Sequence, residues 1–171
     1  MKKIKGFFTW ECLYRDMVLK FPSGSHFVEV GVFQGQSLYY LIQEIIKSRK
    51  DISVTAVDWF KNQSENLLRR FMSNLFKVQD KFNVIVDESC NAAKQFEDGS
   101  LDFVFIDASH SYENVRKDII AWLPKVKVGG ILAGHDYGNG YEGVIQAVDE
   151  IFGNKVNKEY IKEQCWLVVK E

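Results

Sequence analysis

Hydrophobic residues recur along the chain with two different spacings. Short apolar runs of strand length alternate with stretches in which apolar side chains return at every third or fourth position, as on one face of a helix. The runs predict strands at residues 27–30, 53–57, 83–86, 101–106 and 131–133. The helical stretches are predicted at 10–21, 38–50, 63–78, 91–96, 111–124 and 141–152.

This alternation predicts an α/β fold. Near-continuous apolar strands are typical of a parallel sheet buried on both faces, and right-handed crossovers place the helices on those faces. A length of 171 residues suffices for a single domain with its own core. Within it we expect a helical segment at 1–24, a core at 25–152 and C-terminal strands within 153–171, near 155–161 and 165–170.

Charge and cysteine content narrow the class of protein. The 22 lysines and arginines nearly balance the 23 aspartates and glutamates, without the basic stripe usual in a nucleic-acid-binding domain. The three cysteines are scattered and suggest neither a zinc site nor a disulfide framework. No apolar run approaches the ~20 residues of a membrane span, and the first residues lack a signal peptide's apolar stretch. We expect a cytoplasmic protein with no nucleic-acid or membrane partner.

Conspicuous polar residues follow each of the five predicted strands. They lie at positions 29–31, 58, 87–89, 107–110 and 135–136. The carboxyl ends of parallel strands meet at one edge of a sheet, and ligands of open α/β sheets bind there. The sequence therefore predicts a ligand site at this edge.

The first of these groups combines an acid with a glycine turn. Glu29 lies within the first strand, and the chain reaches the next helix through Gly31 and Gly35. Such a turn leaves backbone N–H groups facing open space at the positive end of a helix dipole, so it suits a carboxylate or phosphate. Glu29 adds the need for a cationic or hydroxyl group, so the ligand is expected to carry both.

Asp58 ends the second strand, beside the first. A carboxylate in this position can accept two hydrogen bonds from a ribose diol. The alternative is a helix N-cap or a solvated turn acid. The glycine turn in the preceding segment favours ribose binding.

Taken together, these segments resemble the class I S-adenosylmethionine-dependent methyltransferases. Over residues 25–152 the order is Glu-x-Gly-x-x-x-Gly, an acid after strand two, an acidic-polar turn after strand three, Asp-Phe-Val-Phe-Ile-Asp on strand four, and Leu-Pro-x-Val-x-x-Gly-Gly into strand five. The segments Asp-Ala-Ser-His-Ser-Tyr-Glu at 107–113 and Gly-His-Asp-Tyr at 134–137 are similar to the small-molecule O-methyltransferase branch, which includes macrocin-type and catechol-type enzymes. The resemblance implies a Rossmann-like methyltransferase fold.

The same resemblance implies S-adenosylmethionine as the cofactor. It assigns the methionine part to Glu29, Gly31 and Gly35, and the ribose to Asp58. It places Trp59 beside the adenine and Asp87 and Ser89 at the adenine edge, and it adds Asp107 to the cofactor-binding residues. Phe33 stands where such turns often carry glycine, so this turn is expected to approach the ligand less closely.

The resemblance to catechol-type enzymes also implies residues for the transfer step. Asp107 is the acid at the end of strand four, and His110 is the base three residues later. An imidazole near its unperturbed pKa of about 6.5 suits proton removal near neutral pH. The alternatives are a helix-turn acid for Asp107 and a surface or capping histidine for His110.

A divalent metal site is a further implication of the resemblance. Asp107, His135 and Asp136 are the candidate ligands, and Mg²⁺, Mn²⁺ and Fe²⁺ are the candidate ions. Mg²⁺ prefers oxygen, so the imidazole of His135 favours Mn²⁺ or Fe²⁺. Without a metal, His135 is expected to hydrogen-bond the substrate.

The expected function is methyl transfer from S-adenosylmethionine to a hydroxyl of a small-molecule acceptor. Two alternatives stay open at this point: a catalytically silent module that binds the nucleoside cofactor, and a nicotinamide-dependent oxidoreductase. The second is disfavoured because the Gly-x-Gly-x-x-Gly pattern is absent. Residues 60–76 carry apolar side chains on more than one face, which is explained equally by a cover over the cofactor and by a homodimer contact.

Overall fold

The computed structural model describes residues 4–61, 66–138 and 140–171. Strands and helices alternate along them in the order α1 (Glu11–Lys20), β1 (His26–Val30), α2 (Gln36–Ser48), β2 (Ser53–Asp58), α3 (Leu67–Leu75), β3 (Asn83–Val86), α4 (Ser89–Ala93), β4 (Leu101–Ile106), α5 (Tyr112–Trp122), β5 (Val126–Gly134), α6 (Glu142–Phe152) and β6 (Trp166–Val169). Short 3₁₀ helices lie at Phe76–Lys81, Leu123–Lys125, Gly153–Lys155 and Ile161–Glu163.

The strands form one sheet in the order β3-β2-β1-β4-β5-β6. All neighbouring pairs from β3 to β5 are parallel, and β6 runs antiparallel to β5. The chain winds outward from β1 to β3, then crosses back to β4 and winds outward in the other direction. The predicted α/β class with a mostly parallel sheet is confirmed.

Both faces of the sheet are covered, which explains why the strands lack a polar face. Phe103 and Phe105 of β4 join a core under α1, α2 and α3. Val104 and Ile106 of the same strand join a second core under α4, α5 and α6. The alternation of strand side chains thus places apolar residues on both faces, as a parallel sheet between helix layers requires.

The N-terminal helix α1 is fastened to the sheet by apolar packing and by one lysine. Its buried face consists of Leu13, Tyr14, Met17 and Val18. Beyond the end of α2, Lys50 Nζ donates to the carbonyl oxygens of Val18, Leu19 and Phe21, each at 2.7 Å. These bonds satisfy carbonyls that the end of a helix leaves without partners. Helix α1 is therefore held against the connection between α2 and β2.

The predicted turn at Gly129 and Gly130 was wrong, because β5 runs through both residues. The strand register shifts here, and Gly129 has a φ of +79°. The Gly129 N–H donates to the Lys170 carbonyl at 2.7 Å, and the Lys170 N–H donates to the Gly130 carbonyl at 2.9 Å. The C-terminal tail supplies the partners that keep the irregular segment in the sheet.

The two C-terminal strands predicted within 153–171 require a correction. Only β6 forms in the described tail, and the strand predicted near 155–161 is reduced to one isolated bridge between Asn157 and Leu167. Val156 and Tyr160 are buried, but the polar residues between them leave no continuous apolar run of strand length. Two 3₁₀ turns flank the bridge.

The helix predicted at 63–78 is shorter in the structure. Helix α3 covers Leu67–Leu75, and a 3₁₀ helix continues to Lys81. The first predicted residues, 63–65, lie outside the described residues. Within the described ranges, no helix combines the length and the apolar character needed to cross a membrane.

Candidate active site

A cavity of about 690 Å³ opens along the carboxyl ends of β1 to β4. It lies beside β1 and β4, where the strand order reverses, which is the position at which open α/β sheets bind ligands. Its volume suits a cofactor-sized ligand. Of the residues predicted for the site, those lining the cavity are Gly31, Asp58, Trp59, Asp87, Ser89 and Asp107.

The turn after β1 requires glycine because it passes close to β4. Gly31 has a φ of +88°, and a Cβ placed on it would lie 2.0 Å from the Asp107 carbonyl oxygen. Gly35, which precedes the first residue of α2, also has a positive φ, +85°. It faces the side chains of Leu75 and Phe71 on α3. A side chain at Gly31 would push the two strand ends apart. The glycine turn therefore brings Asp107 to the wall of the cavity.

Asp58 binds the glycine turn itself. Its Oδ2 accepts the N–H groups of Val32 at 3.0 Å and Phe33 at 2.9 Å, and its Oδ1 accepts the Phe60 N–H at 2.7 Å. The prediction that the turn's N–H groups face open space was wrong for Val32 and Phe33. These bonds use about three of the roughly four acceptor positions of a carboxylate, so Asp58 keeps capacity for a ligand hydroxyl.

Glu29 lies beneath the turn and outside the cavity lining, with 1% of its surface exposed. Ser37 Oγ donates to its Oε1, and the buried Tyr14 hydroxyl also interacts with the carboxyl group. Burial raises the pKa of Glu29 to about 8, and the charges of Asp107 and Asp58 act in the same direction. Ser37 and Tyr14 oppose this upward shift, and the pKa of Tyr14 is itself raised by burial and by Glu29.

An aromatic side chain lies at the cavity rim after β2. Trp59 is 38% exposed, and Lys61 Nζ lies 4.4 Å from the centroid of its ring. Phe60, Lys61 and Leu67 also line the cavity, so both ends of the connection from β2 to α3 lie beside it. Part of the predicted cover, residues 62–65, lies outside the described residues.

The far end of the cavity is formed after β3. Asp87 Oδ1 accepts the Glu88 N–H at 2.8 Å. Ser89 begins α4, and its Oγ accepts a hydrogen bond from Trp122 Nε1 at 2.9 Å. The indole of α5 thus fixes the serine hydroxyl at the cavity wall.

A second cluster adjoins the cavity after β4 and β5. Asp107, His110 and Asp136 each offer a ligand atom within 4.8 Å of the others. His110 Nε2 lies 2.7 Å from Asp136 Oδ2, and the His110 side chain is 50% exposed. Burial raises the pKa of Asp107 to about 6, although His135 opposes the shift. Asp107 belongs to both the cavity and the cluster and joins them.

His135 lies behind this cluster and is 4% exposed. Its Nδ1 is 3.0 Å from Asp136 Oδ1 and 3.9 Å from Asp107 Oδ1. Its Nε2 lies 3.4 Å from Thr9 Oγ1, and its ring packs 4.3 Å from that of Trp10. His135 therefore connects the acids to the N-terminal segment, whereas His110 faces solvent.

The sequence analysis did not identify Asp118 and Cys90, which both line the cavity. Asp118 lies on the buried stripe of α5 with Val115, Ile119 and Trp122. An acid among the apolar residues at helical spacing was the signal that could have identified it, since acids are rarely buried without a partner. For Cys90 the sequence offered no comparable signal.

Comparison with known proteins identifies the family. A family model described as a methyltransferase domain matches residues 28–137, well over half of the chain. The chain belongs to this methyltransferase family. Its Rossmann-like methyltransferase fold agrees with the solved structure of the O-methyltransferase NovP, which matches with a TM-score of 0.69 over 94% of this chain and 78% of that one, at 18% identity.

Two curated relatives of this chain come from plants. The caffeoyl-CoA O-methyltransferase of Populus kitakamiensis is 33% identical over 129 residues, which is 70% of this chain and 50% of that protein. The tapetum-specific methyltransferase 1 of Arabidopsis thaliana is 31% identical over 126 residues, 72% of this chain and 51% of that protein. The chain spans about half the length of these relatives.

Proposed function

We propose that this chain binds S-adenosylmethionine in the cavity and transfers its methyl group to a hydroxyl of a small molecule. The observation that carries the proposal is that Gly31, Asp58 and Asp107, from three different strand ends, line one cavity beside the reversal of strand order. The family match over 28–137 and the relatives named as O-methyltransferases support it.

The cavity residues fit the charge of this cofactor. The wall of the cavity carries acidic residues from α5 and from the ends of β2, β3 and β4, together with two lysines. S-adenosylmethionine carries a sulfonium and an ammonium group against a single carboxylate, so an acid-rich wall favours it electrostatically. The buried acid Glu29 lies behind the turn that would hold the methionine part.

Each part of the cofactor has candidate partners along the cavity. Asp58 would accept a ribose hydroxyl while it holds the turn of Gly31 and Gly35. Trp59 would lie beside the adenine, and Asp87 and Ser89 would meet the edge of the base. Glu29 would act from beneath the turn, because it does not reach the cavity wall.

The bound cofactor supplies an electrophilic methyl group, and the protein must orient the acceptor and remove its proton. Because His110 Nε2 lies 2.7 Å from an Asp136 oxygen, it carries the ring proton in the neutral histidine. Nδ1 is then the atom that accepts the proton from the acceptor hydroxyl. Asp136 stabilises the imidazolium that results.

A divalent ion is a second component of the proposed site. Asp107, Asp136 and one imidazole would supply two carboxylates and a nitrogen, a donor set that suits Mn²⁺ or Fe²⁺ better than Mg²⁺. The imidazole in the cluster is that of His110, whereas the sequence pointed to His135. An ion there would acidify the acceptor hydroxyl, and His110 would act as a ligand rather than as the base.

Small-molecule acceptors are favoured over nucleic acid because the chain carries no excess positive charge. The three cysteines are free, which fits the cytoplasmic location expected from the sequence. The homodimer contact expected at 60–76 stays a prediction. It is supported by the exposed side chains of Leu68, Met72 and Phe76, spaced four residues apart along one side of α3 and the turn that follows.

Calorimetry against S-adenosylmethionine, S-adenosylhomocysteine and NAD tests the cofactor. We expect both sulfur compounds to bind and NAD not to bind, and NAD binding alone would refute the proposal. Turnover is then measured with a library of hydroxylated and amine acceptors, with EDTA and with Mn²⁺ or Mg²⁺ restored. Cofactor binding without turnover of any acceptor would support the silent-module alternative.

A further inference from the structure

The cavity lining contains a buried carboxylate that the proposed function does not use. Asp118 on α5 is 5% exposed and lines the same cavity as Asp58 at the end of β2. Ser89 and Cys90, at the start of α4, line the cavity too and interact with the Asp118 carboxylate. A buried carboxylate is unfavourable unless strong donors surround it.

Asp118 has two side-chain donors, fewer than the roughly four hydrogen bonds that a carboxylate can accept. Cys90 Sγ donates to its Oδ1 at 3.7 Å, and a thiol is a weak donor. The Ser89 hydroxyl also interacts with Asp118, while its oxygen accepts the Trp122 indole N–H. Burial raises the pKa of Asp118, and these two contacts only partly oppose the shift. The carboxylate therefore has acceptor capacity that faces the cavity.

We propose that Asp118 accepts a hydrogen bond from the 6-amino group of the bound adenine and thereby selects adenine over purines that carry oxygen at this position. The inference rests on the proposed function. With the ribose at Asp58, the base would extend toward the end of β3 and the start of α4, where Ser89, Cys90 and Asp118 line the cavity. The 6-amino group is the only strong hydrogen-bond donor on the base.

Burial makes Asp118 the discriminating acid at this end of the cavity. Asp87 is near the same wall but lies outside the buried set, and its Oδ1 already accepts the Glu88 N–H. A solvated acid replaces a lost partner with water, whereas a buried one is left unpaired. The carbonyl of hypoxanthine would also face Asp118 oxygen to oxygen, so we expect a preference for adenine of about 50-fold.

The experiment compares S-adenosylhomocysteine with S-inosylhomocysteine, in which only the base differs, by calorimetry. The wild-type chain should prefer the adenine compound by about 50-fold. In Asp118→Asn the ratio should fall below about fivefold, because the new amide can donate to the hypoxanthine carbonyl through its nitrogen as well as accept from the adenine amino group through its oxygen. Asp98→Asn, an exposed acid paired with Lys125, is the matched control and should keep the wild-type ratio.

Asp118→Ser, which removes the carboxylate without adding an amide, provides a second variant in case the first does not fold. Its ratio should also fall below about fivefold. An unchanged ratio in either folded variant overturns the inference, as does a wild-type chain that binds the two compounds equally. Loss of discrimination in Asp87→Asn with none in Asp118→Asn also overturns it. A wild-type chain that binds neither compound overturns the proposed function as well, so the two failures are distinguishable.

Discussion

Glu29→Gln tests the ionisation state of the buried acid beneath the glycine turn. Glu29 is 1% exposed, and burial raises its pKa from 4.5 to about 8 even though Ser37 and Tyr14 oppose the shift. In the unfolded chain the same carboxyl titrates near its ordinary value. The glutamine keeps the shape and can still accept the hydrogen bond from Ser37, but it cannot ionise.

The raised pKa fixes the sign of the pH dependence. Between pH 4.5 and 8 the folded state holds a proton on Glu29 that the unfolded state has released, so this contribution to stability is full below pH 4.5 and is lost as the pH rises toward 8. The loss is about 1.4 kcal/mol per pH unit. From pH 6 to pH 8 the wild type should therefore lose about 2 kcal/mol more free energy of unfolding than Glu29→Gln.

Urea unfolding at pH 6, 7 and 8 measures this difference, because the contributions of all other groups cancel between the two chains. Glu97→Gln, at an exposed position, is the control and should follow the wild type within about 0.5 kcal/mol at every pH. Parallel profiles for wild type and Glu29→Gln would refute the reasoning. They would mean that the native acid is already ionised at pH 6.

Three further predictions concern the site. Asp58→Ala should weaken S-adenosylhomocysteine binding at least tenfold, about 1.4 kcal/mol, and lower stability, because the turn loses its acceptor; unchanged affinity in calorimetry would remove Asp58 from the site. His110→Ala should reduce turnover by about 10²-fold or more with near-normal cofactor affinity, and wild-type turnover would make His110 structural only. Gly31→Ala should destabilise the fold by more than about 2 kcal/mol in urea unfolding, whereas Gly24→Ala, with the same φ of +88° and open space around it, should stay near 1 kcal/mol.

The order of elements was available from local patterns. Apolar runs and helical spacing depend on residues a few positions apart, and they predicted β1 to β4 within about a residue. The bounds of β5 were missed because Gly129 and Gly130 bond with Lys170, far along the chain. The weak tail strand was wrong because, of the two tail segments, only β6 is a continuous apolar run that pairs with β5.

The site was predictable to the extent that strand ends converge. Any parallel sheet brings its carboxyl ends to one edge, so Asp58, Asp87 and Asp107 could be assigned to a common region before their contacts were known. The placement of Glu29 below the turn was not predictable, because a strand residue faces one helix layer or the other according to the packing.

By itself the sequence determined the fold class, the edge that carries the chemistry and the resemblance that names the cofactor. Only the tertiary structure decided which polar groups are partners. Asp58 takes the N–H groups of the glycine turn, and Asp136, at a φ of +60°, pairs with an exposed His110 on one side and a buried His135 on the other. The physical reason is that periodicity sets the face on which a side chain lies, whereas hydrogen-bond partners and burial depend on loops and helices brought together from distant parts of the chain.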